Sequence, residues 1–269
     1  MKMNGDNGTV AATDWNAVQY LKFERERTQP SRDLAARIEL PSPSRILDIG
    51  CGPGNSTHVL RERFPLADIL GIDSSPDMIG QARKQYPELT FANVFLTPDC
   101  SEISETYDVI FSNACLQWIP EHKRLLPNLC AKLNPHGVLA IQIPMTSDMP
   151  VSVILRDMSE HSPWKDKIRA CREHDLFTYR PEEYYDILSG ITDRFLIWQT
   201  SYMHIMNSCA EVVKWYCGSR LRPYLAGLSS EERPEFLAEI ERRFRQYYHP
   251  RSNGRIVIPF PRLFMVVDA

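Results

Sequence analysis

The chain has 269 residues, long enough for one α/β domain with a modest insertion and short for two independent cores. Its 31 Lys and Arg against 34 Asp and Glu give a net charge of −3 without any basic run, which argues against a nucleic-acid partner and favours small-molecule chemistry. No stretch approaches the ~18 apolar residues of a membrane span, and the polar amino end has no signal-peptide core, so a cytoplasmic protein with no membrane partner is expected. Seven cysteines without CxxC spacing read as thiols, and seven dispersed histidines give no metal-ligand pattern, so no metal is expected.

In chain order, residues 1–13 read as a disordered tail. A helical pattern then runs from Asp14 through Trp15, Tyr20, Phe23 and Arg27, and a second helix is expected over Asp33–Leu40 before the turn Pro41-Ser42-Pro43-Ser44. The apolar run Arg45–Ile49, bounded by proline and glycine, has the character of a buried parallel strand. A helix over Asn55–Phe64, a strand at Asp68–Ile72 and a helix over Pro76–Tyr86 continue the alternation. Strands at Leu89–Val94 and Tyr107–Ser112, a helix at Lys123–Leu133, the turn Asn134-Pro135-His136-Gly137 and a strand at Val138–Ile143 follow.

Beyond Pro144 the alternation breaks into helical pieces, then a strand at Arg194–Tyr202 and a helical insertion. There Ser229 and Glu232 form a capping box, and Phe236, Ile240, Phe244 and Tyr248 keep helical spacing. Strands at Arg255–Pro259 and Arg262–Val267 close the chain as an antiparallel addition to the sheet edge. The pattern predicts an α/β fold with a Rossmann-like parallel sheet, an antiparallel carboxyl-terminal edge strand and helical cap insertions.

Chemistry concentrates in Asp48-Ile49-Gly50-Cys51-Gly52-Pro53-Gly54-Asn55. After a parallel strand, glycines let the backbone approach a ligand closely. The spacing is G-x-G-x-G rather than G-x-G-x-x-G, and Asp48 precedes the first glycine, where its charge repels a pyrophosphate and suits an ammonium. Asp73 ends the second strand, the position of a carboxylate that accepts from ribose hydroxyls; helix N-capping, its other role, falls more naturally to Ser74 or Ser75. Together these residues favour a methyltransferase over a nicotinamide dehydrogenase.

At this point the sequence resembles the class I methyltransferases, and more narrowly the trans-aconitate 2-methyltransferase family. The resemblance runs from Asp14 to about Val267. It is carried by Asp14-Trp15-Asn16, the loop Gly50–Thr57, Gly71-Ile72-Asp73-Ser74-Ser75-Pro76, Asn113-Ala114, Leu116-Gln117-Trp118 and Gly137-Val138-Leu139-Ala140. In the cap it continues through Pro163-Trp164, Tyr184-Tyr185, Gly218-Ser219-Arg220-Leu221-Arg222-Pro223 and Phe260-Pro261-Arg262-Leu263-Phe264.

The resemblance implies S-adenosyl-L-methionine as cofactor and a small di- or tricarboxylic acid as acceptor. It also implies one domain over 14–269: an amino-terminal lid at 14–40, a cofactor-binding core at 45–144, cap segments at 145–193 and 207–254, and closing strands at 194–203 and 255–268. The cofactor contacts it implies are Trp15, Tyr20 and Arg27 in the lid and Asp48, Gly50, Cys51, Gly52, Gly54 and Asn55 in the loop. Asp73, Ser74 and Met78 after the second strand, Asn93, Val94 and Phe95 after the third, and Asn113 with Ala114 after the fourth complete the set. One departure stands out: Phe95 occupies the position where the family usually carries an acid for the adenine amino group. Either Asn93 takes that hydrogen bond, or Phe95 packs on the ring.

A carboxylate with a reference pKa of about 4 is already ionised at neutral pH, so esterification needs no general base. Positioning groups are therefore the residues to find. Arg222 and Arg262 are the candidate carboxylate clamps, Gln117, Trp118 and His122 follow the fourth strand toward the crevice, and Tyr184, Tyr185 and His204 are further candidate donors. Core packing is the alternative for Trp118 and one tyrosine, and a surface position for His122. A hydroxyl or amine acceptor, or a cofactor-binding regulator without turnover, are the other readings, and the chain is expected to be a monomer or weak dimer.

Overall fold

The computed structural model describes residues 24–171 and 176–269. Seven strands form one sheet in the order β3-β2-β1-β4-β5-β7-β6. These are β1 (Arg45–Ile49), β2 (Asp68–Asp73), β3 (Thr90–Asn93), β4 (Tyr107–Asn113), β5 (Leu133–Pro144), β6 (Phe195–Met206) and β7 (Ile256–Asp268). The first five are parallel, while β7 runs antiparallel to both neighbours. The antiparallel strand expected at the carboxyl end is present. It lies one place in from the edge, which β6 occupies, and Ile256–Asp268 forms one continuous strand rather than two.

β1 and β4 are buried along almost their whole length because helices cover both faces, so they read as apolar runs rather than alternations. On one face Leu47, Ile110, Leu139 and Met265 pack with Leu125 and Leu129 of α4 (His122–Cys130) and with Leu188 of α7 (Pro181–Ser189). On the other, Ile46, Phe111, Ala140 and Phe264 meet Leu34 of α1 (Glu24–Ala35) and Leu60 of α2 (Asn55–Arg63). The strand order reverses between β1 and β4, and this opens the crevice in which α/β sheets bind ligands.

α1 corrects the expected pair of amino-terminal helices. It runs through Pro30 to Ala35, so no separate helix spans Asp33–Leu40. Packing overrides the proline signal here, since Pro30, Ser31, Leu34 and Ala35 are all buried. The amino-terminal tail and the helix expected from Asp14 to Phe23 lie outside the described residues. The Asn134–Gly137 turn is absorbed as an irregular entry to β5, with His136 at φ 63° and a register shift opposite Tyr107 and Val109.

α3 (Pro76–Gln85) completes the core helices. The cap consists of α5 (Pro150–His161), α6 (Lys165–Ala170) and α7, then α8 (Cys209–Cys217), α9 (Arg222–Ala226) and α10 (Glu232–Phe244) between β6 and β7. Val212, Tyr216, Phe236 and Phe244 share a second core with Ile154 and Met158 of α5. The Ser229–Glu232 capping box is present, with Glu232 N–H donating to Ser229 Oγ (3.3 Å) and Ser229 N–H to Glu232 Oε2 (2.9 Å).

Candidate cofactor and acceptor site

The glycine loop is docked onto β2. Gly50 and Cys51 N–H both donate to the Ile72 carbonyl, at 2.8 and 3.0 Å. Gly50 adopts φ +73°, and a β-carbon there would lie 2.2 Å from Cys115 Cβ, so only glycine lets the loop close against the segment after β4. Gly52, at φ +54°, differs: nothing lies within 4 Å of where its β-carbon would be, so its backbone borders open space. Its N–H donates to Asp73 Oδ2 (3.0 Å), and Asp73 Oδ1 accepts from Ser75 N–H (2.8 Å). Ser75 caps α3 through Met78 N–H, so Asp73 is not the cap and its carboxylate stands beside the loop.

Asp48 is fully buried on β1. Its Oδ2 accepts from Ser56 Oγ (2.6 Å) and Thr57 Oγ1 (2.7 Å), strapping α2 to the strand, while Oδ1 has no hydrogen-bond partner. Burial pushes its carboxyl up to about 6 against the lowering effect of the two hydroxyls. At the end of β4, Asn113 Oδ1 is likewise buried without a partner. Left-handed glycines, open space before Gly52, and unpartnered acceptors on Asp48 and Asn113 fit a ligand that brings ammonium and hydroxyl donors to this end of the sheet. The thiols nearby are inert: burial raises Cys51 well above its usual range and Cys115 to about 12.

Toward the third strand, Asn93 Nδ2 donates to the Asp73 carbonyl (2.8 Å), which also accepts from Val94 N–H (3.0 Å). The amide donor of Asn93 is thus committed to backbone, whereas Phe95 is 75% exposed. Trp15 and Tyr20 lie outside the described residues, and of Arg27 only the helical backbone is described.

The residues after β4 divide in two. Gln117 Nε2 donates to the Ala114 carbonyl (2.7 Å) and its Oε1 is buried without a partner, while Trp118 is part-exposed. His122 is not the surface residue the sequence suggested. It is fully buried, with Nε2 donating to the Leu116 carbonyl (2.8 Å) and Nδ1 accepting from the Tyr184 hydroxyl (2.6 Å). Burial lowers its pKa, so the ring is neutral and ties the turn at Leu116–Trp118 to α7. Both His122 and Tyr184 therefore serve the core. Tyr185 is exposed on a groove of about 340 Å³ between α7 and β6, with Pro181, Ile197 and Trp198.

Arg262 is buried and donates to Gln142 Oε1 (2.8 Å), with its guanidinium 4.9 Å from the centroid of Phe260. His204 is buried with its ring 4.5 Å from that of Trp215; burial and the Arg262 charge lower its pKa to about 4. Arg222 is exposed at the start of α9. Sequence reasoning missed Arg220 and Arg156, which line one cleft with Ser147 and Ser152. Arg220 stands within the very motif that drew attention to Arg222, but the periodicity of so short a turn does not reveal which arginine faces inward.

A parallel sheet reversing at β1 and β4, with a glycine cradle after β1 and an acid closing β2, defines an S-adenosylmethionine-dependent methyltransferase. Residues 20–189 match the family described as "Methyltransferase domain". The chain is 40% identical over 257 residues to the trans-aconitate 2-methyltransferase of Rhodopseudomonas palustris (strain HaA2), covering 94% of this chain and 98% of that protein. It is 41% identical over 254 residues to the protein of the same name from Azoarcus sp. (strain BH72), covering 94% and 98%. The chain belongs to the trans-aconitate 2-methyltransferase family. Among solved structures, the YcgJ protein of Bacillus subtilis shares the fold, with a TM-score of 0.55 at 14% identity over 89% of this chain and 97% of that one. No described helix is long and apolar enough to cross a membrane.

Proposed function

We propose that this enzyme esterifies a carboxyl group of trans-aconitate or a closely related small polycarboxylic acid. The observation that carries the reading is the extent of the likeness: about 40% identity spans 94% of the chain, and so runs through the cap as well as the cofactor core. S-adenosylmethionine supplies an electrophilic methyl group on a sulfonium. The acceptor carboxylate is ionised at neutral pH, so the chain must hold, orient and shield it rather than take up a proton. The engagement of both ring nitrogens of His122 supports this base-free reading.

Within it, Asp73 accepts from the ribose hydroxyls, Asp48 and Asn113 face the amino-acid end, the exposed ring of Phe95 packs on adenine, and Trp118 walls the transfer site. Trp15, Tyr20 and Arg27 close over the cofactor as part of a single domain spanning 14–269. The protein acts in the cytoplasm as a monomer or weak dimer, without nucleic-acid or membrane partners. The test is transfer of isotope from labelled S-adenosylmethionine to trans-aconitate. A base-labile product is expected; a base-stable product, or binding without transfer, refutes the reading.

A further inference from the structure

Polar side chains cross one face of the sheet in a row at the carboxyl ends of β1, β4 and β5. Ile46, Phe111, Ala140 and Phe264 share the core beneath α1. Side chains repeat every second residue along a strand, so Asp48, Asn113, Gln142 and Arg262, each two positions away from one of these, lie on that same face. Open α/β sheets bind their ligands at this end.

The row changes chemical character from strand to strand. Asp48 and Asn113 present oxygens without a partner, as described above, and these suit the donors of a cofactor ammonium. Gln142 presents the opposite. It is fully buried, and its Oε1 accepts from Arg262 Nη1 (2.8 Å). A guanidinium only donates, so this contact fixes which end of the amide is oxygen and which is nitrogen. Nε2, which can only donate, is left buried with nothing to accept from it. A buried donor in this state is unfavourable unless a ligand oxygen completes it.

Gln142 also stands where the reacting group must be. It pairs in register with Asn113, one strand away, a spacing of about 4.8 Å. Its backbone carbonyl accepts from Ala114 N–H (3.0 Å), and the Ala114 carbonyl accepts from Gln117 Nε2 (2.7 Å), so the Leu116–Trp118 turn is anchored on β5 at this residue. Ala114 holds φ 55°, a left-handed conformation that costs any residue but glycine and that recurs at binding turns. With the cofactor's amino-acid end against Asp48 and Asn113, the next strand over is β5.

We infer that Gln142 Nε2 binds the acceptor carboxylate and sets its line of attack. One carboxylate oxygen accepts from Nε2. The other attacks the methyl carbon from roughly 3–3.5 Å, a new O–CH3 bond forms as the S–CH3 bond breaks, and the electron pair of that bond stays on sulfur, leaving a methyl ester and S-adenosylhomocysteine with no proton moved. Arg262 acts through Gln142 by holding its amide in the donating orientation. The inference rests on the carboxyl methylation proposed above and names the residue that orients the carboxylate.

The test measures binding of trans-aconitate by calorimetry to enzyme saturated with S-adenosylhomocysteine, so it needs no turnover. Gln142→Glu keeps an oxygen for Arg262 and exchanges the donor for a second oxygen. It is expected to weaken trans-aconitate binding by roughly tenfold or more, with S-adenosylhomocysteine affinity and melting temperature near parental. Gln142→Met, of similar length, loses the donor and the Arg262 contact together, so both acid affinity and melting temperature should fall; it decides the matter if Gln142→Glu does not fold. Gln199→Glu, the same change at an exposed position of β6, is expected to bind as the parent does. Parental acid affinity in either folded Gln142 variant overturns the inference, because Gln142 then serves only to partner Arg262. If the parent ignores carboxylates but binds a hydroxyl compound in a Gln142-dependent manner, the role of Gln142 as acceptor ligand stands and the carboxyl reading falls. If the parent binds neither class, both fall.

Discussion

Replacing Gly52 by alanine separates the two demands that the glycine loop meets. With φ at +54° and nothing within 4 Å of the new β-carbon, the substitution meets no protein atom. Its folding cost is the left-handed backbone penalty of an L-residue, about 1–2 kcal/mol. For a chain of this size that lowers the melting temperature by roughly 2–4 °C per kcal/mol. The methyl group does project into the space the cofactor needs, so S-adenosylmethionine affinity should fall tenfold or more, about 1.4 kcal/mol. Gly50→Ala behaves differently, because its β-carbon would lie 2.2 Å from Cys115 Cβ, an atom fixed to backbone. Overpacking there adds roughly 1–3 kcal/mol to the backbone penalty, so stability and binding fall together. Calorimetric titration beside thermal denaturation resolves the pair. Parental cofactor affinity in Gly52→Ala would refute the reasoning, since the open space would then not be where the ligand lies.

Asp73→Ala removes the acceptor of Gly52 N–H and, on the proposed cofactor placement, of the ribose hydroxyls, and should weaken S-adenosylmethionine binding by roughly 1.5–3 kcal/mol in the same titration. Tyr184→Phe strips the donor from buried His122 Nδ1 and should cost about 1–3 kcal/mol in denaturant unfolding, with acceptor KM nearly unchanged; a KM effect without a stability effect would return Tyr184 to the acceptor site. His204, its pKa lowered from 6.5 to about 4, stabilises the fold fully above pH 6.5 and loses that contribution, at most about 3 kcal/mol, as pH falls toward 4. Asp48, raised from 3.8 to about 6, acts in the opposite sense, because the folded state takes up its proton first as pH falls. Relative to the parent, His204→Phe should therefore gain stability between pH 6.5 and 4, and parallel stability curves for the two proteins would contradict the assignment.

The strands from β1 to β5 were legible because β1 and β4, buried on both faces, read as apolar runs and the others alternate with helical segments, so local sequence marks them. A serine cap ahead of Pro76 and the placement of Asp73 at the end of β2 were legible from local sequence, and the structure decides between the two serines in favour of Ser75. Features set by distant contacts were not. Pro30 inside α1 is tolerated only because that helix packs on Ile46 and Leu60, and the place of β7 between β5 and β6 depends on pairings far along the chain. The burial of His122 depends on Tyr184, 62 residues away. Arg220 and Arg222 are two positions apart, and only the packing of α8 and α9 decides which of them enters the cleft.

β6 and β7 are antiparallel neighbours, with Met206 opposite Ile256. Residues 207–255 are accordingly the loop of a single hairpin whose two ends are held side by side by the ladder. Closing such a loop depends only weakly on its length, about 0.6 kcal/mol for each doubling. The sheet can therefore carry a longer, shorter or entirely different helical segment at this point without changing the register of its strands. The hairpin is a socket: grafting the corresponding segment of another methyltransferase between Met206 and Ile256 would exchange that part of the cap, Arg220 included, and leave the cofactor half of the enzyme untouched.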